Sequence, residues 1–511
     1  MQDKFSWRKA SFILIIIYIV LSLWRIELFP PQVDIYYHLG VMQGFHLAGG
    51  IVTWDFWEFA PEGKPHFYPP LLHILMLLCY RLGLSKISIA IFFSFIIFPL
   101  YIITFWFVID RLFNSRLAFF AVLTNLLSYN LFLGITNTIA ATLALVILFW
   151  LFFSLERNKN VSLVILTSLL FYAHYAISTM GIGGLVFYVL FRKGKKIKPL
   201  LFIAVGMILA LPWILHFAFN FSYLLKTIYY DRDLPVNILL LLLSLLGIFY
   251  CFRFKGKYLF FVFLVFFALL GAFKHLYRFF NTQGAVGIVF TAAFFLERLF
   301  VTFSSQKTLH QLTWVLILFF ASNLLSYSVG FDFNPFSLNK FVSDSVYWNL
   351  LVYPFTDPSV YNFRGVCFYR SYGEEFKEAI DIINTHTDKN DIIYSNFGYQ
   401  AGILCAFTER ANATMSPYDE KNYTYNPYIP KAKLVVWLKN LEGKMDEELI
   451  KYISLFRLEK IRETKEFFYF YKNPYAKFKM QVRQAIIPAE LAFLIVFIFL
   501  GILIWDGVRK G

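Results

Sequence analysis

Charged residues are scarce in this chain. They make up 15% of its 511 residues, against roughly 25% in an ordinary soluble domain. A water-soluble surface cannot be built from so few, while 59% of the residues are hydrophobic and 63 are Phe. No soluble interior is large enough to take that many rings, so they must face lipid or neighbouring helices. Cysteine is nearly absent too. Of the four, Cys79 and Cys251 lie in or beside apolar runs, and Cys367 and Cys405 share one polar stretch where they could pair. The chain shows no internal repeat, low-complexity tract or long linker. No small-residue cleavage site follows the first apolar run, where Leu23-Trp24-Arg25-Ile26-Glu27 is bulky and charged, so that run reads as an uncleaved first helix.

What is present is a series of apolar runs near 11–28, 87–109, 117–134, 138–154, 161–175, 177–191, 200–218, 235–252, 258–273, 281–297, 311–329 and 487–505. They predict a polytopic α-helical membrane protein of about twelve spans. The net charge of +15 would fit a nucleic-acid partner. The basic residues, however, sit in short clusters between spans, as at Arg192-Lys193-Gly-Lys195-Lys196 and Arg253-Phe-Lys255-Gly-Lys257. That is how cytoplasmic loops are marked, and nucleic acid is set aside. The run 69–80 decides the topology. If it crossed the bilayer, Arg111, Arg116, the Arg157–Lys159 loop and the 192–198 cluster would all fall outside. If it lies in the outer interface, they fall inside with Lys4, Arg8, Lys9, Arg509 and Lys510, and both termini are cytoplasmic. We take the second arrangement.

It divides the chain into a membrane domain over 1–329 that includes a first external loop at 30–86, an exterior α/β domain over 330–486, and a C-terminal anchor over 487–511. Within the exterior stretch, Glu374 to Ile383 has the spacing of an amphipathic helix, and Asp391 to Ser395 and Lys433 to Leu438 read as strands.

The first external loop collects most of the polar chemistry. Asp34 follows Pro30-Pro31, which would end the first helix and hold an acid at the membrane surface, placed to act as a general base or to bind a divalent cation. His38, four residues on, shares its face if the segment is helical. Asp55 and Glu58 beside Trp54 and Trp57 read either as the wet face of an interfacial helix or as metal or acceptor contacts. His66 and His73 are further potential ligands, although no spacing insists on it. On a later span, Lys274, His275 and Arg278 gather at an external end, where cations suit phosphate oxygens. His216 and Arg232 belong to the neighbouring external loop.

An Asp after the first span, an aromatic–His cluster, then Trp-Asp, Pro-x-Gly and Tyr-Pro ahead of an apolar helix resembles the first external loop of GT-C glycosyltransferases. The branch it looks most like is the catalytic subunit of archaeal and eukaryotic oligosaccharyltransferases. The matching residues are Asp34, Tyr37, His38, Trp54, Pro61, Gly63, Tyr68 and Pro69. His174-Tyr175 resembles a His-Pro at an outer helix end of that family, and Lys274 to Phe279 resembles its late Arg-Phe. The segment from Tyr394 through Asn396 to Tyr399 resembles its acceptor-reading Trp-Trp-Asp-Tyr-Gly. The resemblance implies a polyprenyl-phosphate-linked sugar as donor and a protein or glycan as acceptor. It also implies catalysis by Asp34 on the exterior face, phosphate binding by Lys274, His275 and Arg278, and acceptor contacts from Tyr394, Asn396 and Tyr399. His38, Asp55, Glu58, His66 and His174 are the remaining acceptor or metal candidates, and a Mn²⁺ or Mg²⁺ ion at Asp34 is the cofactor to consider.

There are departures. No acid lies between Ser128 and Ala140, where the family has an acidic pair, and Trp-Trp-Asp is replaced by Tyr394-Ser395-Asn396. Asp332 and Asp344 are the stand-ins for a late flexible-loop Glu. Together these imply transfer to an acceptor other than an Asn sequon. The rivals are a divergent oligosaccharyltransferase and a non-enzymatic lipid-linked sugar transporter or scaffold.

Overall fold

The computed structural model describes residues 6–24, 33–127, 131, 135, 139–194, 196–226, 233–272, 279–302, 314, 326–330, 370–396, 398–413, 431–439, 445–465 and 468–509. Its helices are α1 (Trp7–Trp24), α2 (Val33–Ala48), α3 (Leu71–Arg81), α4 (Lys86–Leu112), α5 (Ser115–Leu127), α6 (Ile139–Glu156), α7 (Asn160–Ala173), α8 (Tyr175–Phe191), α9 (Ile197–Leu209), α10 (Leu211–Phe219), α11 (Phe221–Lys226), α12 (Ile238–Phe254), α13 (Tyr258–Ala272), α14 (Ala285–Thr302), α15 (Arg370–His386), α16 (Gly398–Thr408), α17 (Glu447–Phe456) and α18 (Ala489–Arg509).

Among the described residues four helices, α4, α6, α14 and α18, are long and apolar enough to cross a membrane alone. The pair α9–α10, bent by 64°, makes a fifth. The run 200–218, read from sequence as one span, is therefore two helices. Pro212 has no N–H to give the turn before it, and its ring opposes the carbonyl four residues back, so the helix breaks at Ala210. Several other expected spans are shorter apolar helices, among them α7, α8 and α13. Most of 311–329 lies outside the described residues, and 326–330 at its end form a strand, β5 (Ser326–Gly330), antiparallel to β4 (Asp233–Asn237). The protein is a helical membrane protein, and its Phe residues divide between the two fates expected of them. Phe152 stacks on Phe260 at 4.0 Å and Phe261 on Phe290 at 3.6 Å inside the bundle, whereas Phe249, Phe266 and Phe497 are exposed on its flanks.

Polar ties collect at one end of the bundle. Arg8 at the start of α1 pairs with Asp110 near the end of α4 at 3.0 Å. Lys257 Nζ donates to Leu112 O at 2.7 Å. Glu297, fully buried, lies between Arg116 and Arg298. Ser162 Oγ, in the first turn of α7, is 2.5 Å from Asp506 near the end of α18. Since α1 starts and α4 finishes at this end, the chain from 33 to 81 lies at the other. The helix α3 has 11 residues, about 16 Å at 1.5 Å per residue, far short of a crossing.

The C-terminal part carries a five-stranded sheet in the order β7 (Ala411–Asn412), β6 (Ile392–Ser395), β8 (Leu434–Leu438), β10 (Phe468–Lys472), β9 (Glu459–Glu463). The first three strands are parallel and the last two antiparallel. The helix α15 buries Phe376, Ala379, Ile382 and Ile383, a stripe spaced by three and four, so the expected amphipathic helix and both expected strands are present. On β8, Val435 and Trp437 face α17, while Leu434 and Val436 face a second core.

That second core contains Ile35, Tyr36, Leu39 and Phe45 of α2 and Leu72 of α3 together with Phe376, Ile392, Leu404 and Phe468. The 33–81 segment and the sheet are thus packed as one body. The helices α2 and α16 meet where Gly40 faces the carbonyl of Gly402. A short strand β1 (Gly50–Ile51) pairs with β11 (Ile487–Pro488) just before α18.

Candidate active site

Local sequence sets each wall of the site. The helix α2 opens with Asp34 in its first turn, where an acid complements the N-terminal dipole, and ends at Gly49, whose φ of +80° suits glycine. Next come the paired strands β2 (Trp54–Asp55) and β3 (Lys64–Pro65). Their turn closes when Trp54 Nε1 donates to Glu62 O at 3.0 Å. Gly63, at φ +73°, leaves room for that indole, since a Cβ there would come within 2.4 Å of it. Pro70 then caps α3 without needing an N–H of its own.

Asp34 is partly exposed, and one turn further along the same face His38 is 1% exposed. The polar face therefore runs inward from Asp34. His38 Nδ1 lies 2.9 Å from His73 Nε2 in the first turn of α3. His66 and Phe45 pack edge-on against the His73 ring, at 5.8 Å and 5.7 Å between centroids. His66 Nδ1 in turn lies 2.7 Å from Asp55 Oδ1, both groups fully buried. The His216 Nε2 proton is directed at His66 O, 2.7 Å away, tying α10 to the loop. Tyr68 sits edge-on to His38 at 4.9 Å and to His174 at 6.0 Å, with Tyr37 alongside at 5.5 Å.

Burial governs the charge state here. The His38 imidazole is pushed down to about 3, first by desolvation and then by His174 and His66. His73 is held well below the ordinary imidazole value by burial, then by His38 and His66. Both rings are neutral near pH 7 and act through hydrogen bonds.

The structure thus gathers Asp34, His38, Asp55, Glu58, His66 and His174 around one loop at one end of the bundle. It also gives two of them different surroundings from those read in the sequence. Asp55 and Glu58 are not the wet face of a helix: Asp55 is paired with His66, and Glu58 Oε2 is 2.6 Å from Lys64 Nζ. His174 caps α8, its Nδ1 accepting from Ile177 N at 3.3 Å. Asn396 accepts from Leu438 N at 2.7 Å and returns a donor to Leu438 O at 3.3 Å, joining β6 to the end of β8. Tyr394, half-buried, lies near Trp437. Lys274, His275, Arg278, Arg232, Asp332, Asp344, Cys367 and the side chain of Tyr399 lie outside the described residues. Cys405 is a buried free thiol near Trp57 O. Lys64 is the residue the sequence reading missed. Its spacing from Glu58 carries no helical or strand signature, and only the hairpin brings the two together.

Among the described residues no three His, Cys, Asp or Glu side chains converge as a metal-binding group. The donors that might have formed one are directed elsewhere, His38 to His73 and Asp55 to His66. The described residues therefore do not fit a divalent cation, and no step is derived through one.

The helical membrane bundle, with the 33–81 segment at one end of it packed on a C-terminal α/β unit, has a fold shared with solved GT-C glycosyltransferases. Two solved structures share it over most of this chain. The archaeal oligosaccharyltransferase AglB from Archaeoglobus fulgidus, in complex with an inhibitory peptide and a dolichol-phosphate, superposes with a TM-score of 0.52 at 12% identity, covering 85% of this chain and 70% of that one. ArnT from Cupriavidus metallidurans, in the apo state, gives a TM-score of 0.51 at 13% identity over 91% of this chain and 98% of that one. No family model matches the sequence, and no curated protein does.

Proposed function

We propose that this protein is a glycosyltransferase that moves a sugar or oligosaccharide from a polyprenyl-(pyro)phosphate carrier to an acceptor on the outer face of the membrane. The observation that carries the reading is the position of Asp34. In a GT-C fold whose basic helix ends gather on one side, it stands at the opposite end, partly exposed, in the first turn of the loop helix. One structural neighbour holds a dolichol-phosphate, which supports a lipid-linked donor. The positive-inside pattern supports cytoplasmic termini and an exterior site.

In the mechanism, the acceptor hydroxyl or amide gives its proton to the Asp34 carboxylate as its oxygen or nitrogen attacks the anomeric carbon. The bond from that carbon to the phosphate oxygen breaks, the carrier (pyro)phosphate leaves with the electron pair, and the configuration inverts. Lys274, His275 and Arg278 are assigned from the sequence to the departing phosphate, whose growing charge they would offset. Tyr394, Asn396 and Tyr399 remain the proposed acceptor side. Of these Asn396 acts through the fold, since its amide is bonded to Leu438.

The test uses purified protein in liposomes with the source cell's own metabolically tritiated polyprenyl-linked saccharides. Wild type transfers label to non-lipid material, and Asp34→Asn lowers the rate at least 10³-fold (about 4 kcal/mol of barrier). Unimpaired transfer by Asp34→Asn removes the assignment. The oligosaccharyltransferase reading is favoured by the AglB neighbour and is checked in the same assay. It requires a sequon peptide to receive label, whereas our reading expects none. A transporter reading would rest on the broken α9–α10 pair. The carbonyl freed there at Leu209 accepts from the Tyr172 hydroxyl, and α10 is tied to the loop through His216, which supports a role for the break in building the site.

A further inference from the structure

A column of titratable groups runs inward from Asp34: His38, then His73, then His66, then Asp55. Burying this many polar groups among Phe45, Trp57, Tyr68 and Trp213 is unfavourable, and an apolar pair at positions 38 and 73 would pack at less cost. The column therefore calls for a reason other than stability. Its geometry supplies one. His38 is one helical turn from Asp34 on the same face of α2, and His73 belongs to the neighbouring helix that follows the Tyr68-Pro69-Pro70 corner. The bond between the two rings fixes the rotation of α2 relative to α3 in the turn next to the acid. An apolar contact slides and rotates with little penalty, whereas a 2.9 Å ring-to-ring hydrogen bond has one angle and one distance.

We propose that His38 and His73 are positioning residues for the transfer: their hydrogen bond holds the Asp34 turn in its working orientation, and neither ring meets the substrate. This rests on the reading of Asp34 given above. Both rings are closed off from the surface, His38 at 1% exposure and His73 at 0%, so substrate contact is left to Asp34. Among the described residues, the two buried nitrogens at the far sides of the pair, His38 Nε2 and His73 Nδ1, meet no hydrogen-bond partner. The bond they share is thus the polar contact that orients each ring.

The two nitrogens of imidazole allow a discriminating test. His73→Gln places its amide where Nε2 stood and can still bond His38. His73→Asn places its amide near Nδ1 and cannot. In the tritiated-saccharide liposome assay, His73→Gln is expected to stay within about threefold of wild type. His73→Asn is expected to lose about tenfold or more in kcat, with the KM for the lipid-linked donor unchanged. Wild-type rates in His73→Asn would overturn the proposal. So would equal loss of kcat in both variants with equally lowered melting temperatures in detergent, because the pair would then serve the fold alone. Asp34→Asn is run alongside. If that variant transfers normally, the catalytic reading itself fails. If it is inactive while His73→Asn matches wild type, only the positioning role fails.

Discussion

At the scale of single residues, an imidazole sealed among aromatic rings is neutral in the fold and free to take a proton when the chain unfolds. His38 titrates near 3 when folded and near 6.5 otherwise. The unfolded state therefore binds more protons between those values, and stability must rise with pH across that window. The contribution is complete above about pH 6.5 and is lost as pH falls toward 3, at about 1.4 kcal/mol per pH unit for one site. Melting in detergent at pH 7 and pH 5, above the usual carboxylate range, should show a drop that His38→Gln reduces. An identical drop in the variant would mean that His38 does not titrate on unfolding. The Asp55–His66 pair makes a separate demand. Removing the carboxylate with Asp55→Ala leaves His66 Nδ1 buried without its partner and should destabilise by about 1–3 kcal/mol, read as the shift in the same melting curve. None of this pairing was legible in the sequence. It named Asp34, His38, Asp55, Glu58 and His66 because polar residues crowd an otherwise oily chain. It had no means of knowing that Lys64 would turn back on Glu58, or that His73, 35 residues away, would meet His38.

Between elements, the loop is held by close approaches that depend on small residues. Gly44 on α2 admits the Trp57 indole so closely that a Cβ would lie 2.0 Å from its ring. The ring is boxed in by Phe45 and His66, so it has little room to move. Gly44→Ala should therefore destabilise by about 1–3 kcal/mol, and a second change, Trp57→Leu, should recover part of the loss. A Gly44→Ala melting temperature equal to wild type would contradict this packing. At this scale the sequence was informative where periodicity was strong. The spacing of Phe376, Ala379 and Ile383 gave α15, and the short apolar run Leu434–Leu438 gave β8. It was uninformative where apolar composition was uniform. Residues 200–218 read as a single span because nearly every position is oily, and only Pro212 marked the break.

For the whole molecule, the joint core of the first loop and the C-terminal sheet binds together parts of the chain more than 300 residues apart. Trp57 O accepts from Asn412 N at 2.8 Å, and Ala60 N donates to Asn412 O at 3.0 Å. Topology arguments from charge expect both parts on one side of the bilayer, and the shared core joins them at one end of the bundle. Composition and charge clustering carry that much. They say nothing of the packing, because hydropathy reports only what avoids water. Orientation can be checked with an impermeant maleimide on intact cells. Lys389→Cys, exposed beside the sheet, should label from outside, and Lys255→Cys, exposed at the basic end, should label only after permeabilisation. The reverse pattern would place the site in the cytoplasm. The most direct measurement of the central claim is mass spectrometry of lipid-linked saccharides in cells lacking this gene, complemented with wild type or with Asp34→Asn. The account predicts that a polyprenyl-linked saccharide accumulates in the deletion, disappears with wild type and persists with Asp34→Asn; clearance by Asp34→Asn, or no accumulation at all, would contradict it.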